Sequence, residues 1–194
     1  MAKLVVCNIM SLDGFYADEN GNPLVLEMDE AFDAYNLERL RAAEALLLGA
    51  DSYRMFMGFW PAQASNPEAS TVNQEFGGIY GRIGVNVISD SLTADEVAPY
   101  AEQTTVIGRD EAEARVKELK QQLSGDLVTF GSHIMWNALL RAGLVDELHL
   151  IAGPAALGTG TPVFTGPTGR LALAGTRRLA GSDNVLLRYE ARTA

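Results

Sequence analysis

A single cysteine, Cys7, excludes an internal disulfide and any metal site built from several thiolates. Set in the apolar run LVVCNIM, it reads as a small core side chain. Only two histidines occur, His133 and His149, and neither stands at ligand spacing from the acids, so no metal site is expected. Basic residues are scarce, 15 against 25 acidic ones, for a formal charge of −10. No basic stripe interleaved with aromatics offsets that balance, which argues against a nucleic-acid partner. No apolar run is long enough to span a membrane, and MAKLVVCNIM turns polar too soon for a signal peptide. A cytoplasmic protein without a membrane partner is expected. Internal repeats and low-complexity blocks are missing too.

What is present is a succession of apolar runs of strand length, at 4–10, 45–49, 85–89, 104–108, 127–130, 147–153, 170–179 and 185–191. Helical spacing fills several gaps between the earlier ones, over 28–44, 51–58, 111–123 and 133–142, the last two stopped by Gly125 and Gly143. Strands alternating with helices predict a mostly parallel sheet; the final strands, with no helix between them, predict antiparallel pairing. Residues 61–78, rich in Ala, Ser, Asn and Gly, are the least regular stretch. One α/β domain of about eight strands over 1–194 is expected. His149 alternates with Leu148 and Leu150, which assigns it to the less buried side of its strand.

The stretch LVTFGSHIMWNALL (127–140) passes from a strand through glycine directly into a helix. First-turn N–H groups lack helical partners, and the dipole adds partial positive charge, so such a corner suits an anion. Alone it is a weak signal, because many strand-to-helix turns use glycine for steric reasons. Ser132 and His133 lie outside any G-x-S-x-G elbow, which counts against a hydrolase.

The run GSHIMWNALLRAGLVDELHLIAGPAALGTGTPVF, with SLDGF at 11–15, LLLGADSYRMF at 46–56 and VISDSL at 87–92, resembles the dihydrofolate reductase-like family. That family includes the C-terminal reductase domain of bifunctional riboflavin-biosynthesis enzymes. The resemblance implies a three-layer dihydrofolate reductase-like fold with a mixed central sheet, and an oxidoreductase that uses NADPH, with NADH possible. It implies that Gly131, Ser132, His133 and Ile134 contact the pyrophosphate through backbone N–H groups. Gly49, Ala50, Ser52 and Tyr53 would hold the other side, with Ser89, Gly108 and Arg109 flanking the adenosine. Relatives often carry arginines for the 2′-phosphate where this chain has Ala50 and Asp90, and an acid there suits a free 2′-OH. Arg109, or Arg54, is the candidate replacement. Ser132 stands where the family usually has a second glycine, a pair joined by a cis peptide in dihydrofolate reductases.

For the proton that reduction of a C=N bond requires, the chain offers Asp29 and Asp33, one helical turn apart. Asp13 in the SLDGF turn is a different candidate, which the resemblance places near the nicotinamide and substrate to hydrogen-bond a substrate amine. Acids also gather in first helical turns for dipole reasons alone, and Asp-Gly is first of all a turn. Trp60 is a pocket-wall candidate, although core or surface packing is the commoner fate of a tryptophan. The expected substrate is a small heterocycle, pterin- or folate-like or ribosylaminopyrimidine-like. A non-catalytic dinucleotide sensor on the same fold is the alternative. The cysteines of a fused zinc deaminase are absent, which reads as a stand-alone member. Long apolar late strands without covering helices point to a homodimer.

Overall fold

Strand β1 (Leu4–Met10) sends Leu4 and Val6 into one apolar layer and Val5 and Cys7 into another, and all four are buried. Burial on both faces is why its sequence reads as one apolar run rather than an alternation. The structure is a computed structural model that describes residues 1–191. After β1 come β2 (Phe15–Ala17), α1 (Glu30–Ala42), β3 (Ala43–Gly49), α2 (Ala50–Gln63) and α3 (Thr71–Tyr80). Next are β4 (Gly84–Ile88), α4 (Ala94–Val97), β5 (Thr104–Ile107), α5 (Ala112–Gln122), β6 (Asp126–Phe130) and α6 (His133–Arg141). The chain closes with β7 (Glu147–Ala152), β8 (Thr161–Pro162), β9 (Leu171–Arg178) and β10 (Val185–Ala191).

Eight strands form one sheet in the order β5-β4-β3-β6-β1-β7-β10-β9. The six from β5 to β7 run parallel, and β10 and β9 pair antiparallel, as the helix pattern predicts. Helices α5 and α6 pack on the face bearing Leu4, Val6 and Leu47; α1, α2 and α3 cover the face bearing Val5, Leu46 and Val128. The three layers follow from crossover direction. Connections leaving β1, β3 and β4 step towards β5, those leaving β5 and β6 step back, and right-handed crossovers then place their helices on opposite faces. No helix among the described residues is long and apolar enough to cross a membrane.

Two expectations need correction, and one, for Trp60, resolves to the packing role held to be the commoner. The stretch 61–78 is not irregular: α2 runs through Pro61 in its last turn, and α3 is capped by Ser70, whose hydroxyl accepts from Asn73 N. The buried face of α3, Phe76, Ile79 and Tyr80, is obscured in the sequence by Gly77 and Gly78. Gly77 is there for close approach, since a Cβ would lie 2.3 Å from Ala64 N and 2.7 Å from Trp60 O. Gly77→Ala is therefore expected to cost about 3 kcal/mol, read by denaturant unfolding, because the clash is with backbone that cannot rotate away. Trp60 stacks on Phe76 and Tyr80 and so joins α2 to α3. The second correction is that His149 is only 1% exposed, because a strand between two helical layers has no outer side.

Candidate active site

Strands β3 and β6 are neighbours in the sheet, yet their helices leave in opposite directions, so a crevice opens beyond their carboxyl ends. Helices α2 and α6 start at that crevice. Among the described residues neither start has a side-chain cap, whereas α1 and α3 are capped by Asp29 and Ser70. Two serines tie the starts together. Ser132 N donates to Ser52 Oγ at 2.8 Å, and Gly49 N donates its hydrogen bond to Ser132 Oγ at 3.0 Å. Beneath them, Asn8 Nδ2 donates to Gly131 O at 2.7 Å.

Gly131 (φ 57°) and Ser132 (φ 50°) are both left-handed. Ser132 is the one non-glycine residue with positive φ among those described, a strain of about 1 kcal/mol held at the crevice. No cis peptide occurs among the described residues, so the Gly131–Ser132 bond is trans. The small β2–β8 ribbon engages the His133 ring. The ring stacks on Tyr16 at 4.5 Å, and Nε2 lies 2.9 Å from the Pro162 carbonyl. It thus anchors the small β2–β8 ribbon over α6, while Ile134 stays 80% exposed.

The row continues along the sheet edge. Gly49 is in register with Ile88, and Ile88 with Ile107, so Ser89 and Gly108 lie level with the corner on the next strands. From β6 to β5 the row spans about 14 Å at the usual strand spacing. Ser89 N donates to Ile107 O, and Ser89 Oγ accepts from Ser91 N and Leu92 N, which fixes this turn. Asp90 Oδ1 accepts from Arg109 N at 2.9 Å, and Arg109 Nε lies 3.6 Å from Asp90 Oδ2. Arg54 is turned to Glu96 and Asp51.

Comparison with known proteins bears on what this row of backbone donors is for. Residues 2–186 match the family described as the RibD C-terminal domain. The chain belongs to that family. RibD-type membership makes it an oxidoreductase of the riboflavin-biosynthesis class, with a nicotinamide dinucleotide as its cofactor class. Similar folds include Acinetobacter baumannii RibD (TM-score 0.69, 17% identity, 99% of this chain and 58% of that one). A pyrimidine reductase-like protein from Corynebacterium diphtheriae is also similar (TM-score 0.64, 16% identity, 100% and 93% covered). So is the riboflavin biosynthesis reductase of Saccharomyces cerevisiae (TM-score 0.60, 14% identity, 98% and 90% covered). No curated protein matches.

The residues fit a RibD-type cofactor. Two uncapped helix starts meet at glycines, and a dinucleotide's pyrophosphate needs such donors at short range. The other expected site residues have the following surroundings. Tyr53 is only 2% exposed, packed in the α2 layer with its hydroxyl 3.2 Å from Thr104 Oγ1, so its side chain cannot reach a ligand. Asp13 accepts from Ser11 Oγ, Leu157 N and Gly158 N, bonds that hold its carboxyl down at about 2. It fastens the loop before β8, a structural use beside the substrate hydrogen bond expected of it. Asp29 is the α1 cap, accepting from Phe32 N at 2.8 Å and from Ser182 Oγ. Burial acts to raise its pKa, but those hydrogen bonds outweigh it and the net shift is downward.

Asp33 differs. Its side chain is half-buried and has no hydrogen-bond partner among the described residues. Burial, then the charges of Asp29 and Glu30, push it up to about 6. The neighbouring Ala31 and Phe32 pack with Ile9 and Ile151 near the carboxyl ends of β1 and β7, which sets this turn on the same sheet edge as Gly131. Sequence reasoning misses Asn8. Its one signal is a lone amide inside the otherwise apolar run LVVCNIM.

Proposed function

We propose that this chain is an NADPH-dependent reductase of a small heterocycle, ribosylaminopyrimidine-like or pterin-like, with Asp33 as the proton donor. The convergence of the uncapped α2 and α6 starts on Gly49 and Gly131 carries the reading. The nicotinamide, when bound, supplies a hydride. Backbone N–H groups of Ala50, His133 and Ile134 hold the pyrophosphate, while Ser52, Ser132 and Asn8 fix the corner's shape. Ser89, Gly108 and Arg109 flank the adenosine. With its carboxyl pushed up to about 6, Asp33 holds a proton below that pH and in a minor fraction of molecules at neutral pH, where an ordinary aspartate has almost none, as a general acid requires. Residues 1–194 act as a single reductase domain. The test is loss of the reduced nicotinamide's absorbance with a ribosylaminopyrimidine or dihydropterin. Tight binding without oxidation of the nucleotide by any such heterocycle would favour a sensor instead.

The preference for NADPH over NADH is expected to be less than about tenfold, or 1.4 kcal/mol. Arg109 stands at the turn proposed to flank the adenosine, but it is shared with Asp90 at 3.6 Å. Arg109→Ala should abolish what preference there is, measured as the ratio of the two dissociation constants. A strong preference surviving that change would place the 2′-phosphate elsewhere.

Assembly as a homodimer is part of the proposal. Strand β9 is the last in the sheet, eight residues long, with Leu173 59% exposed, and an unguarded edge of that kind invites pairing. Pairing about one shared patch closes as a two-fold dimer. Light scattering should give twice the 20.9 kDa chain mass; one chain's mass, persisting on concentration, would exclude the dimer.

A further inference from the structure

Between α1 and the β9–β10 pair lies a cleft of about 220 Å³ whose lining includes three guanidinium groups, Arg39, Arg177 and Arg188. Such a gathering is unexpected in a chain of formal charge −10. One lining carboxylate, Glu38, serves two of the three: Oε1 takes Arg39 Nη2 at 2.6 Å and Oε2 takes Arg177 Nη2 at 3.0 Å. Arg188 Nη2 lies 3.5 Å from Glu147 Oε2, but that carboxylate also holds Lys3 and His149. Positive charge is therefore in excess. Each guanidinium has five N–H donors, and those pairs use few of them. Arg39 Nε is buried without a partner among the described residues, so it is the remaining N–H groups of the three guanidiniums that are left to meet a ligand.

The cleft is also held rigid. Arg39 and Arg177 lie against the Tyr35 ring, 5.7 and 4.8 Å from its centroid. Tyr35 Oη donates to His149 Nδ1 at 2.7 Å, and His149 Nε2 donates to Glu147 Oε2 at 2.9 Å. Burial lowers the His149 pKa, so the ring is neutral and this donor sequence is complete. The relay fixes Tyr35 and, through Glu147, touches Arg188. Forked planar donors fixed on a rigid floor are suited to phosphate oxygens taken two at a time.

We propose that this cleft binds a phosphate dianion, free or as a small monoester, at a site separate from the crevice of Gly49 and Gly131. The volume exceeds that of one phosphate group, and Leu186 beside Tyr35 offers apolar wall to an ester's carbon part. Calorimetric titration of the full chain with inorganic phosphate and with glycerol 3-phosphate tests this, and the stronger of the two names the source. Binding should weaken at least tenfold in an Arg177→Gln/Arg188→Gln variant whose circular dichroism is unchanged. Arg188→Lys, which keeps the charge and loses the fork, should weaken it several-fold. Undiminished phosphate binding in the double variant would overturn the proposal. So would a wild-type dimer that binds no phosphate and falls to one chain's mass in that variant, because a second copy's carboxylate would then fill the cleft.

Discussion

Gly131→Val is expected to weaken NADPH binding by more than about 100-fold, or 2.7 kcal/mol, and to lower folding stability by about 2–4 kcal/mol. Both losses come from one position. The φ of 57° is one that a β-branched residue adopts only under strain, and a Cβ would lie 2.9 Å from Ser52 Oγ and 3.4 Å from Phe56 Cζ. Ser52 Oγ is the acceptor for Ser132 N, so displacing it separates the two helix starts that supply the donors. Fluorescence titration reads the first loss and urea unfolding the second. Gly143→Ala separates them, since Gly143 (φ 69°) ends α6 at the far side from the crevice. That change should cost about 1 kcal/mol of stability and leave affinity intact. A Gly131→Val protein that folds and still binds NADPH as the parent does would remove the crevice from consideration.

The Gly131 corner is legible in the sequence because its signal is local: a strand, a glycine and a helix start follow one another between Leu127 and Leu140. The eight sheet strands are legible for a related reason, since strands covered on both faces leave unbroken apolar runs such as ALLLG and LVVCNIM. What stays hidden depends on partners far apart in the chain. Asp13 clasps Leu157 and Gly158, 144 and 145 positions away, and without that clasp the aspartate in SLDGF looks like a free acid. The same holds for Tyr53, whose place in the core is set by Thr104, and for the Arg39–Arg177 pair around Glu38. Helix α3 is concealed by a local conflict, because Gly77 is a poor helix former retained for contact with the backbone of α2. Choosing between Asp29 and Asp33 turns on Ser182, a residue 153 positions beyond the cap it completes.

Asp33→Asn is expected to lower kcat by at least about 100-fold, the range that a positioned general acid contributes, while leaving the dissociation constant for NADPH unchanged. In the parent, kcat should fall as pH rises through about 6, because the reaction needs the protonated carboxyl. The same substitution should make the protein more stable, and the sign follows from the direction of the shift. In the folded chain burial holds the Asp33 carboxyl at about 6, whereas in the unfolded chain it ionises near 3.8. Below pH 3.8 both states are protonated and the residue has no differential effect. As pH rises towards 6 the unfolded state gains from ionising while the folded state does not, so stability is lost over that window and stays lost above it. Asparagine does not ionise, and the variant should therefore gain about 1 kcal/mol at pH 8 and nothing through this route below pH 3.8, a modest figure because Asp33 is only half-buried. Urea unfolding at the two pH values, beside steady-state kinetics, separates the two consequences. The gain in stability follows from the burial of the carboxyl whatever its role, whereas the loss of kcat belongs to chemistry alone, and unchanged kcat in a folded Asp33→Asn protein would end its candidacy as the proton donor.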